Sequence, residues 1–268
     1  MRTGRTGTAA ALAGALALVA FGAPAAQAAD TGITVTGMVV NDGKPIVVGV
    51  SEEKFPSVSF RVTWPSGYTP HTIDAFPYLY HGTTAAAGAE DGGIYMAGTI
   101  LYEDSPTSAD VEGDLYIDPR YTLDSNNDAT TWKIAVTARL WDETDTKIKA
   151  EERLTGLGSV QVKRAARVSV NASPEPVAKG RTITVTGSAT RADWVKHAYV
   201  GYGGKLAKLQ FRKAGTSTYT TVKTVRASST GALRTTVTAA ADGYWRWTFA
   251  ETATTGGATA KGDYVDVK

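Results

Sequence analysis

Residues 57–64, Ser-Val-Ser-Phe-Arg-Val-Thr-Trp, carry a large apolar side chain at every second position. Successive side chains of a β-strand point to opposite faces, so Val58 and Trp64 would share one face with the two apolar residues between them. This alternation predicts a strand with one face in a core and the other in water. Residues 132–140 repeat the pattern.

Weaker alternation of the same period recurs through the first half of the chain, at residues 33–40, 46–50, 94–102, 111–117 and 160–162. Clusters of Gly, Pro, Asn and Asp separate these segments, as turns between strands would. An Ala-rich stretch at residues 84–90 predicts a single helical turn. Many short strands with such punctuation indicate a β-sandwich or a barrel.

The second half of the chain predicts seven further strands, at residues 168–170, 182–186, 208–212, 219–225, 233–237, 244–249 and 264–267. Seven short strands in about a hundred residues match the immunoglobulin-like sandwich. Trp245, Trp247 and Phe249 alternate and are expected to point inward. We therefore expect an all-β chain of two tandem immunoglobulin-like antiparallel β-sandwich domains.

The first 28 residues have the three parts of a secretory signal peptide. Arg2 and Arg5 precede a run of small apolar residues at positions 8–23, and Ala26-Gln27-Ala28 forms a small-residue cleavage site. The apolar run is shorter than the roughly 20 residues that a membrane-spanning helix needs. We expect a secreted, extracellular protein that makes no membrane contact after cleavage.

The chain contains no cysteine. An exported protein without cysteine has no disulfides, so its domains must be stabilised by burial of apolar surface. The composition also excludes thiol catalysis and metal sites that need cysteine ligands.

Charge divides the remaining chain into an acidic and a basic domain. Residues 30–163 carry 10 Lys and Arg against 20 Asp and Glu, a net charge of −10, whereas residues 164–268 carry 16 against 6, a net charge of +10. We place an acidic domain at residues 29–163 and a basic domain at residues 164–268. The basic domain is expected to attract anionic cell-wall polymers. Alternatively, the two halves attract each other, within one molecule or head to tail between molecules.

Several segments resemble a known family of secreted actinomycete proteins. In the second half these are residues 168–176, 209–212, 219–222 and 242–247, which look like a C-terminal bacterial Ig-like domain. In the first half, residues 37–49, 74–82 and 127–134 look like the domain of unknown function that accompanies it. The resemblance implies an exported two-domain protein. It supplies no catalytic residues, although some members of the family are labelled calcium-binding.

Asp124, Asn126 and Asp128 alternate in the way that the first ligands of a calcium loop do. The next position should be a glycine, but it is Ala129, and the twelfth position lacks the usual glutamate, so the segment is not an EF-hand. A calcium site completed by carboxylates of the loop at residues 142–145 is one hypothesis. The alternative is an ordinary turn rich in Asx residues.

The sequence shows no recognisable arrangement of catalytic residues. Asp110, Glu112 and Asp114 would share one face of a strand, as a glycosidase carboxylate pair requires, but we favour a solvated outer face that also prevents edge aggregation. The three histidines are too scattered for a zinc trio, and there is no nucleophile elbow, P-loop or dinucleotide-binding pattern. We expect no enzymatic activity and no nucleic-acid partner.

A cluster of aromatic and basic residues precedes the third strand of the second domain. Trp194, Tyr199 and Tyr202 could stack on sugar rings, with Lys196 and Lys205 nearby for anions. The alternative is that these aromatic residues fix a long connection to the sandwich. The sequence thus favours a secreted, non-enzymatic interaction or structural protein that associates with anionic cell-envelope polymers. The alternative function is a calcium-dependent or carbohydrate-binding adhesion module.

Overall fold

The computed structural model describes residues 30–90 and 92–268, so the expected signal peptide lies outside the described residues. Within that part of the chain, no helix is long and apolar enough to span a membrane. The described residues form two β-sandwiches, joined where the acidic half of the sequence meets the basic half.

The first sandwich contains nine strands and one short helix in the part of the chain that the structure describes. The strands are β1 Thr34–Val40, β2 Ile46–Val48, β3 Ser57–Thr63, β4 Ile73–Tyr80, β5 Ile94–Ser105, β6 Ser108–Leu115, β7 Thr131–Trp141, β8 Ile148–Leu154 and β9 Ser159–Arg164. The helix α1 spans Ala85–Glu90, which confirms the predicted helical turn.

The long strand β5 joins the two layers of the first sandwich. Its start pairs with β4 at Ile94 and Tyr95, and the rest of it pairs with β6. One layer therefore has the order β1-β3-β6-β5, and the other has β4-β7-β9-β2, with β8 also beside β7. All of these pairings are antiparallel except the one between β2 and β9.

The predicted inward face of β3 is confirmed. Val58, Phe60 and Val62 are buried, as is Trp64 just after the strand, and they pack with buried residues of the opposite layer such as Leu79 and Val136. Burial of a side chain of this size stabilises the fold by about 1.5–3 kcal/mol. Because no disulfide is available, this apolar contact is the main source of the domain's stability.

The second sandwich also consists of two layers. Its strands are β10 Ala166–Val168, β11 Asn171–Ser173, β12 Thr182–Asp193, β13 Ala198–Gly201, β14 Leu206–Lys213, β15 Thr220–Arg226, β16 Ala232–Thr238, β17 Gly243–Phe249, β18 Ala258–Thr259 and β19 Asp263–Val265. In one layer, β12 pairs with β10, β11, β13 and β16. The other has the order β15-β14-β17-β18, with β19 also paired to β17.

The core of the second sandwich is built around β17. Trp245, Trp247 and Phe249 are buried and alternate with half-buried residues, as the sequence predicted. The Trp247 indole donates a hydrogen bond of 3.0 Å to the Thr186 carbonyl of the opposite layer. The two antiparallel sandwiches confirm the predicted fold class.

One predicted strand is wrong. Residues 168–170 were expected to form a single strand, but Ser169 and Val170 lie between β10 and β11, which pair with different parts of β12. The Ser169 side chain accepts a hydrogen bond of 2.9 Å from the Ser188 backbone N–H. A side chain that bonds to the backbone in this way competes with regular strand pairing.

Candidate functional site

One outer layer of the second domain is strongly basic. Strands β14, β15 and β17, which we call the basic sheet, contain six cations and no Asp or Glu: Lys208, Arg212, Lys213, Lys223, Arg226 and Arg246. Among the described residues, none of these cations lies within 4.0 Å of a carboxylate oxygen. The basic sheet therefore presents uncompensated positive charge.

The strand period places four of these cations on the outward face of the basic sheet: Lys208, Arg212, Arg226 and Arg246. Lys213 and Lys223 are exposed but lie opposite Gly243 and the buried Leu209, on the other face. On β14, Ala207 and Leu209 point into the core, so Lys208 between them points outward. Lys208 lies opposite Thr224 of β15 and Thr248 of β17, and neither neighbour carries a charge. The charge of Lys208 is thus free to act on a ligand in solvent.

Aromatic rings hold the guanidinium groups of the basic sheet in place. The Arg246 guanidinium lies 3.6 Å from the centre of the Tyr219 ring, and its Nε donates a 2.8 Å hydrogen bond to the Gln210 side chain. The Arg212 guanidinium lies 4.1 Å from the centre of the Tyr244 ring. Cation–π contacts orient a guanidinium without removing its charge, so these arginines remain able to bind an anion.

A cavity of about 480 Å³ opens at one end of the basic sheet. Its lining includes Tyr202, Lys205, Arg226 and Phe249. The Lys205 ammonium lies 5.4 Å from the centres of both the Tyr202 and the Phe249 rings. The predicted binding residues Tyr202 and Lys205 therefore belong to the same surface as the basic sheet.

Trp194 lies elsewhere. It follows the end of β12, is fully buried, and packs into the hydrophobic core of the first sandwich. Its indole donates a 2.8 Å hydrogen bond to the Gly49 carbonyl of that sandwich. Both faces of a fully buried ring are covered, so Trp194 joins the two domains and offers no surface to a ligand.

The other two predicted binding residues separate as well. Tyr199 is half-buried, and the Arg167 guanidinium lies over it, 3.6 Å from the centre of the Tyr199 ring. The Tyr199 hydroxyl lies against Gly49. Lys196 is exposed, and its backbone N–H donates a 3.0 Å hydrogen bond to the Asp193 carboxylate. The structure thus divides the five residues between the domain junction and the basic cavity.

Polar groups of the first domain complete this junction. The Asn126 side chain donates to the Asp193 carboxylate at 3.1 Å and accepts from the Trp194 backbone N–H at 3.1 Å. Burial raises the pKa of Asp193, but hydrogen bonds from Asn126 and from the Lys196 backbone outweigh it and hold that pKa below its usual range. Asp193 is therefore ionised at neutral pH, although it is buried.

Two buried cations of the boundary segment also belong to the junction. The Lys163 ammonium forms a 3.0 Å ion pair with Glu251 of the second domain. The Arg164 guanidinium donates to the Ala192 carbonyl, and burial, with the nearby Arg191 charge, lowers its pKa. Because hydrogen bonds, an ion pair and a buried tryptophan all cross this boundary, the domains are held in one arrangement.

The three residues proposed as calcium ligands do not converge. Asp128 is buried, accepts a 3.0 Å hydrogen bond from the Ser125 backbone and approaches His81 at 3.5 Å, whereas Asn126 points to the second domain. Burial raises the pKa of Asp128. Asp124 shares with Asp128 the lining of a cleft of about 350 Å³. The described residues contain no group of three His, Cys, Asp or Glu side chains placed to hold a metal ion, and calcium binding stays a prediction.

Asp110, Glu112 and Asp114 lie on the exposed face of β6, as predicted. Asp110 accepts a 3.0 Å hydrogen bond from Arg61, which also pairs with Asp104. The three carboxylates are spread along an open sheet face rather than gathered in a deep cleft.

Sequence reasoning missed the cations of the basic sheet as a group. The signal was present in β14, where Lys208 and Arg212 alternate with apolar residues. Only the pairing of β14 with β15 and β17 brings the remaining cations beside them.

No protein-family model matches the chain, and no curated protein matches it in sequence. It is similar to the ectodomain of mouse nectin-like molecule 4, with 14% identity over 88% of this chain and 64% of that one and a TM-score of 0.25. It is similar to the D0-D1 domain of intimin, with 12% identity over 86% of this chain and 98% of that one and a TM-score of 0.26. It is also similar to a Corynebacterium diphtheriae protein described as membrane anchored, with 10% identity over 88% of this chain and 53% of that one and a TM-score of 0.27.

The chain thus spans less than two thirds of the nectin-like ectodomain and of the Corynebacterium protein. TM-scores this low carry no argument, and the fold class rests on the sheets described above. Those sheets show an all-β protein built of two β-sandwiches.

Proposed function

We propose that this chain is an exported, non-enzymatic binding protein whose second domain holds anionic polymers of the cell envelope on its basic sheet. One observation carries the proposal: six cations on three adjacent strands have no carboxylate partner among the described residues. The resemblance of both halves to a family of exported two-domain actinomycete proteins supports an extracellular setting.

The spacing of the cations suits a polymer better than a single small anion. Strands rise about 3.4 Å per residue, so Lys208 and Arg212, four residues apart on β14, are separated by about 14 Å. Adjacent strands lie about 4.8 Å apart, which spreads the remaining cations sideways. A chain with repeated negative charges can contact several of them at once.

In contrast, three of the four arginines of the acidic domain are paired with neighbouring carboxylates. Arg61 pairs with Asp104 and Asp110, Arg120 with Asp118, and Arg139 with Glu151 at 2.6 Å. The acidic domain would therefore repel a polyanion and carry a different contact. The fixed junction keeps it at a constant position relative to the basic sheet.

Binding to purified, teichoic-acid-containing cell walls tests the proposal. A Lys208→Gln and Lys223→Gln double variant removes two exposed charges of the basic sheet. Each cation near an anionic surface contributes about 1 kcal/mol, so two correspond to roughly 30-fold in affinity at low salt. The depletion of soluble protein by the walls, measured across a salt series, gives this ratio.

The chain offers a matched control. Lys147→Gln with Lys149→Gln removes the same charge from exposed positions at the far edge of the acidic domain. This variant should bind walls as tightly as the unmodified protein. Equal weakening by both pairs would refute a specific role for the basic sheet, and so would binding that ignores ionic strength.

The basic cavity favours carbohydrate as a second candidate ligand, because Tyr202 and Phe249 line it beside Lys205. Neutral glycans would bind there through ring contacts and hydrogen bonds that salt does not screen. A glycan array probed in high salt, with and without a chelator, separates this adhesion function and its calcium-dependent form from polyanion binding.

A further inference from the structure

The opposite charges of the two domains do not neutralise each other within one molecule. Among the described residues, the ion pair between Lys163 and Glu251 is the only one that crosses from one domain to the other. In that pair the acidic domain supplies the cation, which is the reverse of the overall charges. The excess negative and positive charges therefore face solvent on separate surfaces.

The acidic domain has a groove beside an unpaired strand edge. After Tyr95, β5 pairs with β6 alone, so no strand of the described residues lies along its other edge. A cavity of about 760 Å³, which we call the acidic groove, is lined by Ile100 and Tyr102 of β5 and by Glu112 and Asp114 of β6, among other residues. The two β5 side chains are 61% and 52% exposed, respectively.

The carboxylates of the acidic groove are available for a partner. Glu112 and Asp114 are exposed and form no ion pair with a described residue, unlike Asp110, which Arg61 holds. The groove thus combines exposed apolar side chains with uncompensated negative charge. Apolar patches of this kind, surrounded by polar residues, mark interaction sites.

The basic sheet ends in an edge with complementary features. Among the described residues, strand β15 pairs with β14 alone, so its other edge has no neighbouring strand. Lys223 and Arg226 on β15 supply positive charge. Val222 of β15 and Leu206 of β14, which lies opposite Arg226, are 49% and 50% exposed. Apolar and charged residues are therefore mixed on this edge as they are in the acidic groove, with the opposite sign.

We propose that the acidic groove of one copy binds the β15 edge of a second copy of this chain. Exposed apolar residues would then meet across the contact while Lys208 and Arg226, which share the outward face, approach Glu112 and Asp114. The unpaired backbone groups of β5 and β15 provide a template for hydrogen bonds between the two copies. The inference goes beyond the proposed polymer binding but uses the same basic sheet.

Such a contact repeats rather than closing on itself. It joins two different surfaces of the chain, so each bound copy still offers one free surface of each kind. The fixed domain junction holds the groove and the edge on one rigid body. Head-to-tail chains of copies with a constant step between them therefore follow.

Sedimentation velocity of charge-reversed variants tests this contact. The groove variant carries Glu112→Lys with Asp114→Lys, and the edge variant carries Lys208→Glu with Arg226→Glu. The unmodified protein should form concentration-dependent oligomers at about 0.01 M salt, where charges act over about 30 Å, and monomers at about 1 M. Each variant alone should be monomeric, with an unchanged far-ultraviolet circular dichroism spectrum.

Mixing the two variants gives the decisive result. The edge of the groove variant matches the unmodified groove of the edge variant, and the reversed groove of the first matches the reversed edge of the second, so an equimolar mixture should form oligomers in which the two variants alternate. A chain with all four reversals should associate again, because both signs are exchanged. A monomeric unmodified protein at low salt, or a mixture that stays monomeric, would overturn the inference.

Cell-wall binding by the groove variant separates this inference from the proposed function. That variant keeps the basic sheet, so it should remain monomeric and still bind walls. Wall binding without self-association of the unmodified protein refutes only the inference. Self-association without wall binding refutes only the proposed function.

Discussion

Replacing Trp194 with alanine should destabilise the first domain, although the residue belongs to the chain segment of the second. Its ring packs in the core of the first sandwich and its indole N–H bonds to the Gly49 carbonyl. Alanine would leave a cavity there and an unpaired carbonyl. The backbone N–H of residue 194 could still donate to Asn126, so part of the junction would survive.

The expected loss is large. Truncating a buried tryptophan costs about 3–5 kcal/mol, of which an unsatisfied buried carbonyl can account for about 1–3 kcal/mol. With a urea m-value of about 2 kcal/mol/M, a loss of 4 kcal/mol lowers the unfolding midpoint by about 2 M. Trp194→Phe keeps most of the apolar contact but loses the hydrogen bond, so it should fall between alanine and the native residue.

Urea unfolding followed by circular dichroism measures the midpoint, and amide hydrogen exchange locates the effect. Exchange should accelerate in β2 and β7 of the first domain more than in β14 of the second. Val195→Ala is the matched control, because Val195 is adjacent but 61% exposed, and it should change stability by less than about 0.5 kcal/mol. A Trp194→Ala protein as stable as this control would refute the described junction.

Three further predictions concern the second domain and the junction. Trp247→Ala should lower the free energy of unfolding by about 3–5 kcal/mol in urea titrations, with hydrogen exchange accelerated in β14; a near-native midpoint would contradict the assigned inward face. Gly187→Ala should cost about 1–3 kcal/mol in the same titrations, because its Cβ would stand 2.2 Å from the Ser169 carbonyl oxygen and 2.8 Å from Trp247. At pH values above the ordinary aspartate pKa of about 3.9, ionised Asp193 should stabilise the folded protein. This stabilisation should be lost as the pH falls through the lowered pKa that Asp193 has in the folded state. The urea midpoint of Asp193→Asn should therefore change less between pH 5 and pH 3 than that of the native protein, and an equal change would contradict this role.

The alternation of apolar and polar residues predicted the strands that have one buried face and one face in water. It missed strands that lack this arrangement. Strand β4 was not predicted, because Tyr78 and Tyr80 on its outer face are covered by α1 and pack with Ala85. Residues buried on both faces do not alternate. Strand β8 was missed for the opposite reason, since it is an edge strand in which no residue is fully buried.

The junction was beyond sequence reasoning for a different reason. Trp194 and Gly49 are 145 residues apart, and nothing in either local pattern identifies the other as its partner. The sequence left open whether Trp194 was a ligand platform or a packing residue. Only the relative position of the two domains decides between those readings, and that position depends on contacts such as the one between Asn126 and Asp193.

The two proposed activities of the basic sheet compete for the same cations. A polymer that occupies Lys208 and Arg226 blocks the docking of another copy's acidic groove, and linkage requires that self-association weaken polymer binding by the same factor. A molecule bound to the wall through its basic sheet still presents its own acidic groove. It can therefore accept the β15 edge of one unbound copy. The basic sheet of that second copy is then occupied by the groove, so the second copy would extend the assembly away from the wall.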